Sequence, residues 1–220
     1  MEVPLADDDS RSGLRYTDPA LLGWLDDLHA GLDPALRQAF EAPGQQGMPA
    51  IQVGRSEGRL LSLLTRLIGA TKAVEVGTLA GFSAIHIARG LAPGGHLWSI
   101  EYDPHHAEVA RANIAAAGLS DRVTVLVGAG QDVLPTLAGP VDLVFIDADK
   151  EGYDAYGRWA AANLRPGGLL LADNANYFGK LLDPERAGAA AVRRLHEEAR
   201  DAFDTVCVPT PDGLLLGIRR

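Results

Sequence analysis

The chain has 220 residues, of which 47% are hydrophobic and 22% charged, and its formal net charge is −9. This length and composition are typical of one globular domain with a single core, and no apolar run approaches the roughly 20 residues needed to cross a bilayer. The acidity disfavours nucleic acid and membrane surfaces as partners, because both attract concentrated positive charge.

The N-terminus is acidic and lacks the basic and then apolar pattern of a signal peptide. The chain has one cysteine, Cys207, which cannot form an intramolecular disulfide and lies in an apolar run that predicts a buried strand. A single buried thiol fits a reducing compartment, so we expect a cytoplasmic protein.

The first 69 residues predict an arm followed by a layer of helices. Residues 1–16 are acidic and aperiodic, which is typical of a flexible arm, and residues 17–220 then form one domain. Within the helical layer at 17–69, three helices are predicted: one capped by Asp18 with an apolar stripe at Leu21, Leu22, Leu25 and Leu28, a short one after Asp33, and one capped by Ser56. The stretch 41–56 is rich in Gly, Pro and Gln and predicts a loop.

From residue 70 to 220, short apolar runs alternate with helical segments, which predicts an α/β core. Five runs are apolar at nearly every position, as expected for parallel strands buried on both faces: 73–77, 96–101, 123–128, 141–147 and 168–174. The helices between and after them are predicted over 81–91, 104–117, 130–138, 151–164 and 184–200.

Two further runs, 203–209 and 213–219, have no helix between them and predict an antiparallel hairpin at one edge of the sheet. The predicted fold class is therefore α/β: a doubly wound, Rossmann-like, seven-stranded and mostly parallel sheet with extra N-terminal helices.

A glycine turn and a carboxylate predict a nucleoside-type ligand at the carboxyl ends of the first two strands. Gly77 and Gly81 bracket the turn after the first strand, and Glu101 ends the second, where related folds hold ribose hydroxyls. The turn lacks the G-x-G-x-x-G spacing, so a dinucleotide is disfavoured. A plain tight turn and a solvated carboxylate are the alternatives.

Polar residues also follow the fourth and fifth strands. Asp147 and Asp173 end apolar runs, and Asn174 follows directly, so three oxygen ligands converge if these strands are neighbours. Such a set suits Mg²⁺, Mn²⁺ or Ca²⁺. Lys150 and Tyr153 lie just beyond it. The alternatives are helix N-caps for the aspartates and a solvated lysine.

The remaining candidates are weaker. His105 and His106 follow a strand but lack a metal-ligand spacing, and His86 lies in an apolar helix as a packed residue. The sequence contains no G-x-S-x-G, P-loop or H-E-x-x-H pattern, so hydrolase, P-loop NTPase and zincin functions have no support.

Taken together, these motifs resemble the cation-dependent class I S-adenosylmethionine (SAM) O-methyltransferases, the caffeoyl-CoA and catechol O-methyltransferase-like group in its shorter bacterial form. The resemblance extends from about Met48 to the C-terminus. It is carried by MPAIQVGRSEGRLL, VEVGTLAGFS, SIEYDP, VDLVFIDADKEGYDAY, RPGGLLLADN and DGLLLGIRR, in that order.

The resemblance implies roles for individual residues. The cofactor-binding positions would be Met48, Val53, Glu75, Gly77, Ser83, Glu101, Ala129, Gly130, Asp147 and Tyr156. The metal ligands would be Asp147, Asp173 and Asn174, and the catalytic residues Lys150 and Asp147, with Lys150 assisting deprotonation. Ala129 and Tyr177 depart from the family, which often has Asp or Pro and usually Trp at these positions.

The resemblance further implies a SAM- and divalent-cation-dependent O-methyltransferase, with Mg²⁺ as the expected cation, acting on a small hydroxylated aromatic of the catechol type. A homodimer is expected as well. The alternatives are methylation of a hydroxylated RNA nucleoside, a non-catalytic cofactor-binding protein and an NAD-dependent dehydrogenase.

Overall fold

The computed structural model describes residues 18–220, so the arm predicted at 1–16 lies outside the described residues. The helices are α1 (Pro19–His29), α2 (Pro34–Gln45), α3 (Arg55–Leu67), α4 (Phe82–Gly90), α5 (Pro104–Ala116), α6 (Gly130–Val133), α7 (Tyr153–Asn163) and α8 (Ala187–Ala202). The strands are β1 (Lys72–Val76), β2 (His96–Glu101), β3 (Val123–Val127), β4 (Val141–Ile146), β5 (Leu164–Ala172), β6 (Phe203–Val208) and β7 (Leu214–Arg219). Short 3₁₀ turns lie at Leu134–Thr136 and Lys150–Gly152.

The seven strands form one sheet in the order β3-β2-β1-β4-β5-β7-β6. The pairs among β1 to β5 are parallel, whereas β7 pairs antiparallel with both β5 and β6. The prediction of a doubly wound, mostly parallel sheet with an antiparallel edge hairpin is therefore confirmed. No helix within residues 18–220 is both long enough and apolar enough to cross a membrane.

Helices cover both faces of the sheet, as the continuous apolar strands require. Neighbouring strand residues point to opposite faces, so Leu143 packs in one core with α2 to α5, and Val144 packs in a second core with α7 and α8. Both side chains are fully buried. Because the strands are covered on both sides, the polar residues that bind ligands are confined to their ends.

The N-terminal layer begins as predicted and then departs from the prediction. Asp18 and Asp33 cap α1 and α2 through side-chain acceptors for backbone N–H groups. However, α2 continues to Gln45 through Pro43, into the stretch predicted as a loop, because Ala39, Ala42 and Pro43 are buried against the domain. Tertiary packing here outweighs the cost of a helical proline.

Ser56 is not the cap of α3. The N-cap is Gly54, whose N–H donates to the Glu57 carboxylate at 2.7 Å, and the Ser56 hydroxyl instead bonds to Asp26. Because Glu57, the third residue of the helix, accepts the N–H of the N-cap residue, the N-cap itself needs no polar side chain.

Other boundaries shift by a few residues. The helix predicted at 130–138 is one α turn and one 3₁₀ turn, and the helix predicted from 184 begins at Ala187. Strand β5 starts at Leu164 and ends at Ala172, so Asp173 and Asn174 follow the strand and do not belong to it. The prediction of a buried Cys207 is wrong: β6 is the edge strand, only Phe203 of it is buried, and Cys207 is exposed.

Asp142 joins three strands at the end of the sheet opposite the predicted ligands. Its carboxylate accepts the N–H groups of Thr71 (2.7 Å) and Lys72 (2.9 Å) and pairs with Arg165 at 2.5 Å. Burial opposes ionisation, but the hydrogen bonds from Arg165, Thr71 and Lys72 outweigh it and lower the pKa of Asp142 to about 2. The charged form therefore fixes the start of β1 against β4 and β5.

We expect Asp142→Asn to lower the free energy of unfolding by about 1 kcal/mol at pH 7, since it removes a charged pair that is partly exposed. The folded pKa is depressed from 3.8 to about 2, so this stability is present above pH 4 and disappears as the pH falls toward 2. Urea unfolding at pH 7 and pH 2.5 tests this. Asp204→Asn is the control, since the Asp204 side chain is 75% exposed. An equal deficit at both pH values would contradict the assignment.

Candidate functional site

The sequence-predicted site residues converge on the carboxyl ends of β1, β2, β4 and β5. Strands β1 and β4 are neighbours in the sheet; β2 and β3 follow on the side of β1, and β5, β7 and β6 follow on the side of β4. The helices after β1 and β4, α4 and α7, pack on opposite faces of the sheet. This divergence opens a crevice at the carboxyl ends of the two strands. The candidate site thus lies where this topology favours a ligand cleft.

Gly77 brings the ends of β1 and β4 into contact. Its φ is +99°, and a Cβ at this position would lie 2.0 Å from the carbonyl oxygen of Asp147. The Asp147 N–H in turn donates to the carbonyl of Val76 at 2.8 Å. Only glycine satisfies both the backbone conformation and the close approach, so the turn is more than a flexible connection.

Glu75 is a buried carboxylate with one unpartnered oxygen. It is 0% exposed and accepts a hydrogen bond from the Ser99 hydroxyl at 2.5 Å, while its Oε1 has no partner among residues 18–220. Burial raises the pKa of Glu75 to about 7; the hydroxyls of Ser83 and Ser99 oppose this rise, and the nearby Asp147 charge adds to it. An unpaired buried acceptor of this kind fits an ammonium or hydroxyl group of a ligand.

Glu101 holds the glycine turn in place. Its carboxylate accepts the N–H groups of Thr78 (3.1 Å), Leu79 (2.7 Å) and Asp103 (3.0 Å). A carboxylate has about four acceptor positions, so a further donor can still bind. The alternative of a solvated carboxylate is excluded by its 7% exposure.

The turn after β3 packs against an aromatic side chain. Gly130 packs against Tyr156 and Val76, where a Cβ would lie 2.8 Å from either side chain. Tyr156 is buried and donates its hydroxyl to Asp149 at 2.6 Å. Tyr156 therefore supports the Ala129–Gly130 turn from beneath, and its hydroxyl is already occupied.

Two hydrophobic positions of the approach loop are buried beside the site elements. Met48 packs with Ala42 and Ala80 next to the glycine turn, and Val53 joins the core on the α3–α4 face. Their contact with a cofactor through the backbone stays a prediction.

Lys150 lies in a fully satisfied hydrogen-bond network. Its ammonium donates to Asp147 Oδ1 (3.1 Å), to the Ala148 carbonyl (3.0 Å) and to the Tyr153 hydroxyl (2.7 Å), which itself donates to the Asp173 carbonyl at 3.1 Å. Three acceptors match the three donors of a charged lysine. Burial and the neighbouring carboxylates, Asp147 first, raise the pKa of Tyr153 well above 10, so this hydroxyl stays protonated.

Asp173 and Asn174 lie beside Asp147, as the sequence predicted for neighbouring strands. The Asp173 N–H donates to the Ile146 carbonyl at 2.9 Å, which places the end of β5 next to that of β4. Burial raises the pKa of Asp173 to about 8, and the charges of Asp147 and Glu57 add to the rise. Neither aspartate caps a helix, so that alternative is wrong.

The donor set consists of carboxylate and amide oxygens. Within residues 18–220, no group of three or more His, Cys, Asp or Glu side chains is arranged to hold a metal ion. A cation between Asp147 and Asp173 would therefore depend on Asn174 as its third protein ligand. Asn174 has a φ of +51°, a conformation that is uncommon outside glycine but tolerated by asparagine. A carboxylate whose pKa is raised by burial and by a neighbouring carboxylate, together with a neutral oxygen donor, fits a divalent cation.

Glu57 belongs to the surroundings of the site and was missed in the sequence. Its Oε1 is buried without a partner among the described residues, and burial raises its pKa, with further contributions from Asp212 and Asp147. Glu57 precedes Asp147 by ninety positions in the chain, and its only sequence signal is a capping position in α3.

The two histidines after β2 lie in the first turn of α5. Of these, His106 has its Nδ1 atom 3.6 Å from the carboxylate of Glu101.

The loop after Asn174 borders a cavity at the surface of the protein. The Tyr177 N–H donates to the Asn174 carbonyl at 2.8 Å, and Tyr177 lines a cavity of about 330 Å³ together with Glu151, Asp183, Glu185, Arg186, Ala187 and Gly188. Both Tyr177 and Phe178 have positive φ values, of 50° and 54°. Together with Asn174, three non-glycine residues within five positions therefore adopt a conformation that is uncommon outside glycine.

Comparison with known proteins identifies the family of this chain. A family profile described as O-methyltransferase matches residues 27–220. The chain is 47% identical over 178 residues to a catechol O-methyltransferase of Mycobacterium tuberculosis, covering 80% of this chain and 81% of that protein.

Solved structures have the same fold. A cofactor-bound structure of Rv0187 from MTB is 42% identical with a TM-score of 0.86, covering 92% of this chain and 97% of that one. The O-methyltransferase TomG from Streptomyces achromogenes, in complex with SAM, is 34% identical with a TM-score of 0.85, covering 91% and 96%. The chain therefore belongs to the O-methyltransferase family of enzymes.

Proposed function

We propose that this protein transfers the methyl group of SAM to a hydroxyl of a catechol-type acceptor, with the help of a divalent cation. The observation that carries the proposal is the convergence of the Gly77 turn with Asp147, Lys150, Asp173 and Asn174 at one crevice. In this arrangement a nucleoside cofactor would lie directly beside a set of hard oxygen donors. The related TomG structure, which contains SAM, supports the choice of cofactor.

SAM would lie along the carboxyl ends of β1, β2 and β3. The open oxygen of Glu75 and the Ser83 hydroxyl suit its methionine part, and Glu101 has room for one ribose hydroxyl beyond the backbone groups it already binds. The Gly77 turn lets the ligand approach the backbone closely. Ala129 and Gly130 would border the adenine.

The acceptor would bind between Lys150 and the Tyr177 loop. A divalent cation held by Asp147, Asp173 and Asn174 would lower the pKa of an acceptor hydroxyl and fix its position. Two adjacent hydroxyls suit such a site, and the catechol O-methyltransferase of M. tuberculosis supports this acceptor class. The cavity beside Tyr177 has room for the rest of a small aromatic molecule.

Lys150 acts through its charge in this proposal. All three of its N–H groups have acceptors, in Asp147, Ala148 and Tyr153, and these hydrogen bonds hold the side chain in a fixed position. A fixed positive charge beside the acceptor oxygen stabilises its anion, and the hydroxyl proton leaves to solvent. The rest of the rate enhancement comes from holding the oxygen in line with the methyl group.

We also infer a cytoplasmic homodimer that acts on small molecules and not on RNA, and the acidic composition supports the last of these points. Light scattering tests the dimer, and RNA-binding measurements at low salt test the exclusion of RNA.

Purified protein given SAM and catechol is expected to form a methyl ether that mass spectrometry detects, and EDTA is expected to abolish its formation. Asp173→Asn should lower kcat/KM about 100-fold or more, because it removes one charged oxygen from the cation site. Asp201→Asn, which changes an exposed residue at the end of α8, is the control. Full activity in EDTA would exclude the cation. Absence of both SAM binding and methyl ether formation in the presence of Mg²⁺ would exclude the whole assignment.

The role of Lys150 is tested by two substitutions. If its charge matters, Lys150→Arg retains a substantial fraction of kcat whereas Lys150→Met lowers kcat by about 100-fold, which is typical for loss of one charged stabilising group. The pH dependence of kcat/KM of Lys150→Arg should resemble that of the wild type. Equal loss in both variants would instead indicate that Lys150 accepts the proton.

Gly77→Ala is expected to abolish SAM binding, measured by calorimetry, because the new Cβ would lie 2.0 Å from the Asp147 carbonyl oxygen. Gly118→Ala is the matched control: Gly118 also has a positive φ, of 71°, but nothing lies within 4 Å of an added Cβ. It shares the backbone strain without the clash, so its SAM affinity should be unchanged. Equal affinity in the two variants would contradict the proposed contact.

A further inference from the structure

A basic cavity lies between α1, α3 and α4, outside the candidate site. Its volume is about 390 Å³, within the roughly 300–1,000 Å³ typical of small-molecule sites. Its ionisable lining consists of Arg59, Arg66, Arg89, His29 and His86, and no carboxylate from residues 18–220 lines it. In a chain with a net charge of −9, three arginines around one cavity form a local positive field, of which the charge of Arg89 is partly offset by Asp33.

Two of the three arginines have no protein partner in the described part of the chain. Arg89 pairs with Asp33 at 2.6 Å, but the exposed side chains of Arg59 and Arg66 make no hydrogen bond or ion pair with any residue from 18 to 220. They are seven positions apart in α3, so both project from the same face of the helix, with Ser62 between them. Unpaired guanidinium groups facing one cavity are suited to bind an anion.

His86 forms the buried part of the cavity wall. It is 6% exposed, and its Nε2 has no partner within residues 18–220. Burial lowers the pKa of His86 to about 4, and the charges of Arg89 and Arg59 lower it further while Asp33 opposes them. The guanidinium groups of Arg59 and Arg89 are therefore close enough to act on the ring, which is neutral at pH 7. The buried Nε2 lies against Gly58 of α3, where a Cβ would be 2.9 Å from it.

We propose that this cavity binds a phosphate-bearing small molecule. Phosphate groups carry the multiple charge that several converging guanidinium groups favour, and their oxygens match the paired N–H donors of arginine. The proposal does not depend on the methyl-transfer function. It does place the ligand against α3, the helix whose Glu57 borders the candidate site from its other side.

Calorimetric titration of the full chain with inorganic pyrophosphate tests the proposal. The wild type should show one saturable site, and Arg59→Gln/Arg66→Gln should weaken the affinity roughly tenfold or more, as expected when charged hydrogen bonds are lost. Arg200→Gln is the control, since Arg200 is an exposed residue of α8 on the opposite face of the sheet. Absence of saturable binding, or equal weakening in the control, would overturn the proposal.

Nuclear magnetic resonance of the His86 ring gives a second readout. A bound polyanion offsets the positive charge of Arg59 and Arg89, so pyrophosphate should raise the pKa of His86 toward its ordinary value, whereas His96, on β2, should not respond. Citrate distinguishes the ligand class: a response to pyrophosphate that exceeds the response to citrate supports phosphate recognition, and the reverse excludes it. Binding that leaves the His86 signals unchanged would place the anion elsewhere and overturn the assignment.

Discussion

The repulsion among buried carboxylates at the crevice between β1 and β4 is the constraint on which the site depends. Asp147 lies near both Glu75 and Asp173. Burial raises the pKa of Glu75 to about 7 and that of Asp173 to about 8, and the charge of Asp147 adds to both shifts. Lys150 supplies one nearby positive charge. Burying several carboxylates close together lowers the stability of the fold, and a bound cation reduces their repulsion. An ammonium near Glu75 and a divalent cation near Asp173 would both relieve it.

The helix α3 connects features that are far apart in sequence. Its first turn carries Glu57 toward the carboxylates of the site, and its other face carries Arg59 and Arg66 toward the basic cavity. Gly58 lets it approach α4 closely, since a Cβ there would lie 2.6 Å from the His86 ring. The acidic site and the basic cavity are thus separated by the width of one helix, which keeps opposite charges in distinct environments.

Most of the fold followed from the sequence because the apolar runs are long and bounded by clear turns. The errors have specific tertiary causes. Residues 41–45 are helical because Ala42 and Pro43 are buried, and Cys207 is exposed because β6 lies at the sheet edge, where one face is open. Neither burial nor strand order is encoded in local composition, so local patterns predicted these two segments incorrectly.

The sequence by itself determined the strand ends, the glycine turn and the oxygen-rich residues after β4 and β5, because each is a local departure from an apolar pattern. Only the tertiary structure decided that β1 lies beside β4 and that the Lys150 ammonium donates to Asp147 and Tyr153. It also decided that α3 carries Glu57 toward the candidate site and Arg59 toward the basic cavity. The reason is physical: charge interactions act through space over a few ångströms, and the chain brings those groups together only when the sheet is assembled.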